Sequence, residues 1–286
     1  MSDINNRTGV DLSGKVAVIT GAGTELGLAL ALLAAQEGMK VALADSDPSM
    51  LAATQAILET TDVEILAECT EQSDLRALQE FAWRVEEELG PPWLVCNTAA
   101  GSTIESNLWG VVHGVQVFTP GMVARGSGHI VNIAAEDLFG VRGPAVDLAV
   151  SQAIVGVSQS LYRELDSTGS RVGVTLVSPS LIGTTLTTIA SGPVLAPEAG
   201  LRVVPPEELA EQIFAAIDTR EFWLFSHAPQ IVETTRPTRL CFGCSWKGSQ
   251  PSRKGGVLGR AVAVSTETCD EPDSSEPEKL ARSMAA

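Results

Sequence analysis

The densest chemical signal in the chain is Thr20-Gly21-Ala22-Gly23-Thr24-Glu25-Leu26-Gly27, which follows an apolar run and precedes a stretch of helical period. Glycines let a backbone turn tightly and approach a pyrophosphate. A helix N-terminus behind them offers unpaired N–H groups and the positive end of a dipole. The next apolar run ends at Asp45, 24 residues after Gly21. A carboxylate there can accept hydrogen bonds from an adenine-ribose diol and repels a 2′-phosphate. No Lys or Arg occurs between Val41 and Leu75. The pattern therefore favours NAD over NADP, if a dinucleotide binds at all. Plainer readings exist beside this one. A Gly-rich turn needs no nucleotide, Asp45 could cap the helix that follows it, and Asn97 could only satisfy backbone groups between strands. His113 and His129 are expected to be structural. Cys241 and Cys244 make half a zinc site at most, so no metal set is expected.

These residues sit in an alternating pattern that runs from residue 14 to about 225. Strands are predicted over 16–20, 41–44, 63–66, 93–96, 129–133, 172–177 and 222–225. Helices are predicted over 25–37, 48–59, 74–88, 108–124, 145–165 and 206–217. Strands separated by helices imply a parallel sheet covered on both faces, and near-continuous apolar strands agree with that. The expected fold class is α/β: a doubly wound, Rossmann-like parallel sheet in a single domain.

Composition bounds the partners. Thirty-five acids against nineteen bases give a formal charge of −16, which argues against nucleic acid and anionic membranes. No apolar stretch approaches the ~20 residues of a membrane helix, and no secretory signal is expected. With five cysteines, an odd number, a reducing, cytoplasmic location is expected. Residues 1–10 read as an N-terminal arm, 11–228 as the domain, and 229–286 as an extension. From about 240 onward the extension has no apolar periodicity, with bases first and acids after, and reads as a disordered tail.

Taken in order, the motifs resemble the short-chain dehydrogenase/reductase family over about residues 11–228. Thr20, Gly21 and Gly27 match the family's glycine motif, but Glu25 stands where its middle glycine is expected. Asp45 matches the ribose-binding acid, and Glu68 falls at the adenine-contacting acid. Cys96-Asn97-Thr98-Ala99 stands in for Asn-Asn-Ala-Gly, and Asn107-Leu108-Trp109-Gly110 resembles the helix-borne Asn motif. Gly128–Ile133 resembles the strand leading to the family's Ser. Pro179, Ile182 and Thr184 fall in the segment that holds the nicotinamide amide. The resemblance thus implies cofactor contacts at Gly21, Gly23, Glu25, Leu26, Gly27, Asp45, Glu68, Asn97, Thr98, Pro179, Ile182 and Thr184.

The family's chemistry requires a Tyr as acid/base, a Lys four residues later, a Ser and an Asn. This chain has one tyrosine, Tyr162, and no lysine between Val41 and Trp246. The alignment puts Asp147 at the Tyr position, Ser151 at the Lys position and Ala135 (less readily Ala134) at the Ser position. Of the four, Asn107 alone is kept. Tyr162 lies about four helical turns beyond Asp147 and is expected away from the site. A carboxylate at Glu25 would compete with a diphosphate for the helix end. The nine residues between Asn97 and Asn107 leave little room for the helix the family has there.

Three functions follow from the resemblance. The first is a degenerate member that binds or regulates, pairing with its own kind or with a related chain through helices 108–124 and 145–165. The second is an NAD-dependent oxidoreductase of a small alcohol or ketone with an atypical site. The third is a non-redox isomerase or dehydratase with Asp147 as acid/base, supported by Asn107 and Ser151. The segment 181–201 resembles the family's substrate flap and hints at a small uncharged ligand.

Overall fold

Successive residues of a strand face opposite sides of a sheet, and in the first strand, β1 (Val16–Thr20), both sides are buried. Ala17 and Ile19 join one apolar cluster, Val16 and Val18 the other. A strand with two buried faces belongs in the middle of a covered sheet. The computed structural model describes residues 10–98, 104–134, 145–178 and 204–225, the side chains of Glu105, Ala145 and Asp147 excepted. The chain divides into two units, Met1–Val232 and Glu233–Ala286, and every described residue belongs to the first. The expected tail, together with Ala135, Pro179, Ile182, Thr184 and the 181–201 segment, lies outside the described residues.

Six further strands accompany β1: β2 (Lys40–Asp45), β3 (Ile65–Cys69), β4 (Pro92–Asn97), β5 (Gly128–Ile133), β6 (Val172–Ser178) and β7 (Trp223–Phe225). They form one sheet in the order β3-β2-β1-β4-β5-β6-β7, every pair parallel. The helices are α1 (Glu25–Gln36), α2 (Pro48–Leu58), α3 (Leu75–Glu88), α4 (Gly110–Arg125), α5 (Ala145–Ser167) and α6 (Pro206–Thr219). One apolar cluster joins the sheet to α1, α2 and α6. The other joins it to α3, α4 and α5. This is the doubly wound α/β fold that the alternation implies. Among the described residues, no helix is long and apolar enough to cross a membrane.

Two elements differ from expectation. β3 lies two to three residues later than the predicted 63–66, because register with β2 pairs Val41 with Ile65 and Asp45 with Cys69. It is an edge strand with half-exposed sides, so an apolar run is a poor marker of its limits. The fourth helix begins earlier than residue 108: a π-helical turn, Glu105–Trp109, leads into α4. Residues 99–103 are not described, and the chain is helical from Ile104 onward.

The order of strands puts the switch in winding direction between β1 and β4. In open α/β sheets ligands bind at the carboxyl ends of the strands beside such a switch. Thr20, Asp45 and Asn97 all close their strands at that end.

Candidate functional site

At the end of β1 the chain turns at Gly21, which has φ +62°, a left-handed conformation that favours glycine. Its Cα also lies so close to the Thr98 carbonyl that a Cβ would overlap it. Thr98 in turn donates from Oγ1 to the Thr20 carbonyl, so the ends of β1 and β4 are held together. Thr24 caps α1. Its Oγ1 accepts from the Gly27 N–H at 2.9 Å and donates to the Gly21 carbonyl at 2.8 Å. Those two bonds shape the turn without any ligand. The N–H of Leu26 in the first turn has no partner within the helix, and Glu25, half-buried, opens that turn.

Asp45 does not cap α2. Asp47 does, accepting from Ser49 N–H at 2.8 Å and Met50 N–H at 3.1 Å. Asp45 instead reaches back to the glycine turn. Its Oδ2 accepts from the Gly23 N–H at 2.7 Å and its Oδ1 from the Asp47 N–H at 2.9 Å. Two donors leave lone pairs on a carboxylate, which can accept about four bonds. The acid is thus fixed beside the turn, where a ribose diol adjoining a diphosphate would lie. Gly23 is packed on its other side by Met50, whose Cβ is 2.6 Å from where a glycine Cβ would be. Glu68 forms a 2.6 Å ion pair with Arg84, which also binds Glu88 at 2.8 Å. Glu68 is therefore turned toward α3 in this structure.

A buried polar chain crosses the middle of the sheet. Asn97 Nδ2 donates to Asn132 Oδ1 at 2.8 Å, and Asn132 Nδ2 donates to Ser158 Oγ at 3.0 Å. The Ser158 hydroxyl donates in turn to the Ile154 carbonyl at 2.8 Å. The chain ties β4 and β5 to α5. Asn97 Oδ1 has no hydrogen-bond partner among the described residues. It is pressed against Gly114 of α4, where a Cβ would overlap it. Sequence reasoning found Asn97 but not Asn132, Ser158 or Gly114. The signal was two buried polar residues in apolar elements, each needing a partner.

Asn107 lies in the π-helical turn, half-buried and engaged with a neighbour. Such turns interrupt regular helices and gather at functional sites. α5 packs against this turn and carries Asp147 and Ser151. Ser151 is 1% exposed, and its hydroxyl has no hydrogen-bond partner among the described residues. A buried hydroxyl without a partner is costly. The structure thus brings Asn107 and Ser151 onto adjoining elements, with the backbone of Asp147 one turn before Ser151. Ala134 is buried at the end of β5.

Other candidate groups stand apart. Tyr162 is 42% exposed and packs on Phe222 at 4.7 Å between ring centroids. His129 is buried. Its Nε2 lies 2.8 Å from Thr175 Oγ1, which donates to the Glu221 carbonyl at 2.7 Å. Thr175 therefore accepts from His129, fixing the Nε2–H tautomer. Burial, and then the charge of Arg220, lower its pKa to about 3. His113 Nδ1 lies 3.3 Å from the Gln72 carbonyl, and its ring stacks on Trp109. Burial pushes the Cys96 thiol up to about 12, which leaves it no nucleophilic thiolate. Among the described residues, no three His, Cys, Asp or Glu side chains are grouped to hold a metal.

The chain matches the short chain dehydrogenase family model over residues 15–191. A Mycobacterium tuberculosis protein named as an oxidoreductase, SadH, is 34% identical over 200 residues, spanning 63% of this chain and 72% of that protein. A Staphylococcus aureus protein named as an uncharacterized oxidoreductase is 29% identical over 222 residues, spanning 72% of this chain and 92% of that protein. The crystal structure of a short-chain dehydrogenase/reductase from Burkholderia phymatum in complex with NAD superposes with a TM-score of 0.66 at 28% identity, covering 76% of this chain and 90% of that one. L-Sorbose reductase from Gluconobacter frateurii, complexed with NADPH and L-sorbose, gives a TM-score of 0.68 at 20% identity, covering 79% and 100%. At that identity the likeness concerns the fold.

Proposed function

Since this chain belongs to the short-chain dehydrogenase/reductase family, we propose that it keeps a dinucleotide site suited to NAD(H) and acts by binding rather than by ordinary hydride transfer. The adenosine half of the site supports the first part. Gly21 makes the close turn, and Asp45 is oriented by the Gly23 and Asp47 N–H groups. A bound NAD would supply a hydride acceptor, and Asp45 and the α1 N-terminus would hold its ribose and diphosphate.

The observation that carries the second part is Ser151. The motif alignment puts Ser151, which is buried, at the position of the family's lysine, and no lysine lies between Val41 and Trp246. Reducing a ketone creates an alkoxide that must be protonated as it forms. A phenol held by a nearby ammonium can do this near neutral pH, whereas a carboxylate with an ordinary pKa is already ionised. With Asp147 aligned in place of the phenol and Ser151 in place of the ammonium, the chain lacks that pair. The role that remains is ligand binding, with pairing to like or related chains through α4 and α5.

The relatives' names favour a second reading, an oxidoreductase with an atypical site in which positioning supplies most of the rate. Titration with NADH and NADPH, followed by a panel of small alcohols and ketones, separates the two. We expect NADH to bind more tightly than NADPH, Asp45→Ala to erase the difference, and turnover to be negligible. Equal affinities would defeat the Asp45 assignment. Robust turnover would establish the second reading.

A further inference from the structure

Only two lysines precede Lys247, Lys15 and Lys40, and both line one hollow of about 270 Å³. Arg125 is the third cation in its wall, and Ser127 adds a hydroxyl. Trp93, Pro91, Pro92 and Leu89 supply the apolar side. Among the described residues no carboxylate lines it, in a chain whose formal charge is −16. The hollow lies where β1, β2 and β4 begin, so the length of the sheet separates it from the glycine turn and from Ser151.

The cations are held in place. Lys15 Nζ sits 4.4 Å over the Trp93 ring. Arg125 Nη2 donates to the Pro92 carbonyl at 2.6 Å. Lys40 pairs with Glu64 at 2.8 Å, and Arg125 stands 3.7 Å from Glu86. Both acids are more than half exposed, at 61% and 55%, and such surface pairs are weak. Burial lowers the Lys15 pKa, against the opposing charge of Asp11, so this ammonium has lost part of its hydration.

We propose that this hollow binds a small organic anion, with its carboxylate between Lys15, Lys40 and Arg125 and a flat apolar group against Trp93 and the two prolines. Charge-assisted bonds to a carboxylate are about twice as strong as neutral ones. The apolar wall distinguishes such a ligand from a bare inorganic ion.

Isothermal titration of the full chain with benzoate, inorganic phosphate and benzyl alcohol at constant ionic strength tests this. Benzoate is expected to bind at one site, at least tenfold more tightly than either control. Lys15→Gln combined with Lys40→Gln should weaken it at least tenfold, as should the milder Lys40→Gln with Trp93→Leu, while Arg76→Gln leaves it unchanged. Circular dichroism checks that each variant is folded. Absence of a benzoate site, binding that survives the lysine substitutions, or phosphate binding as tightly as benzoate would each overturn the proposal.

Discussion

At Glu25 two demands on one helix end act in opposite directions. A carboxylate in the first turn of α1 stabilises the helix by about 0.3–1 kcal/mol and repels an incoming diphosphate by a comparable amount. Glu25→Gln should therefore strengthen NADH binding by roughly 0.3–2 kcal/mol while lowering unfolding stability by a few tenths. Calorimetric titration and urea denaturation read the two signs separately, and equal signs would refute the account. His129 invites a similar treatment. Its pKa is about 3 in the folded protein against about 6.5 in an unfolded chain, so between those values the unfolded state binds more protons. Stability from this residue is complete above pH 6.5 and is lost as pH falls, by at most about 1.4 kcal/mol per pH unit. The acid limb of unfolding free energy against pH should be shallower by one proton in His129→Gln. An unchanged slope would mean that His129 is charged in the folded state.

Helix α4 sits where it does because Gly114 has no side chain. A methyl group there would overlap Asn97 Oδ1, so Gly114→Ala must push α4 away or break the Asn97–Asn132 bond. About 1–3 kcal/mol of destabilisation is expected, measured by chemical denaturation. A loss below 0.5 kcal/mol would show that the contact is loose. None of this contact could be foreseen from a helix of mixed Val, Gly and His, because it depends on which strand end the helix crosses. The strands and most helices were legible, since buried parallel strands are apolar throughout, whereas the cap of α2 is Asp47 and not Asp45. Asp45 was legible as an acid at a strand end, but its bond to Gly23 is a tertiary fact. The limits of β3 were not legible, since an edge strand with half-exposed residues loses the apolar signal. The π-helical turn that carries Asn107 also has no marker in residue type.

For the molecule as a whole, the proposed absence of hydride transfer is expected to trace to a few positions. Combining Ala135→Ser, Asp147→Tyr, Ser151→Lys and Glu25→Gly restores the residues the family uses. Measurable NADH-dependent ketone reduction is expected in that variant and not in the native chain, read by loss of NADH absorbance. Activity in the native chain that persists in Asp147→Asn would place the chemistry elsewhere. The strand order has a further consequence, for the birth of the chain. β1 pairs with β2 on one side but on the other with β4, Thr20 opposite Asn97. A ribosome adding ~5–20 residues per second needs roughly 4–15 s to make the intervening stretch. Through that interval β1, an interior strand of the finished sheet, has one edge of unpaired N–H and C=O groups. Parallel pairings over such separations are slow to close, so the nascent amino-terminal half is the stage at which a chaperone has the most to protect.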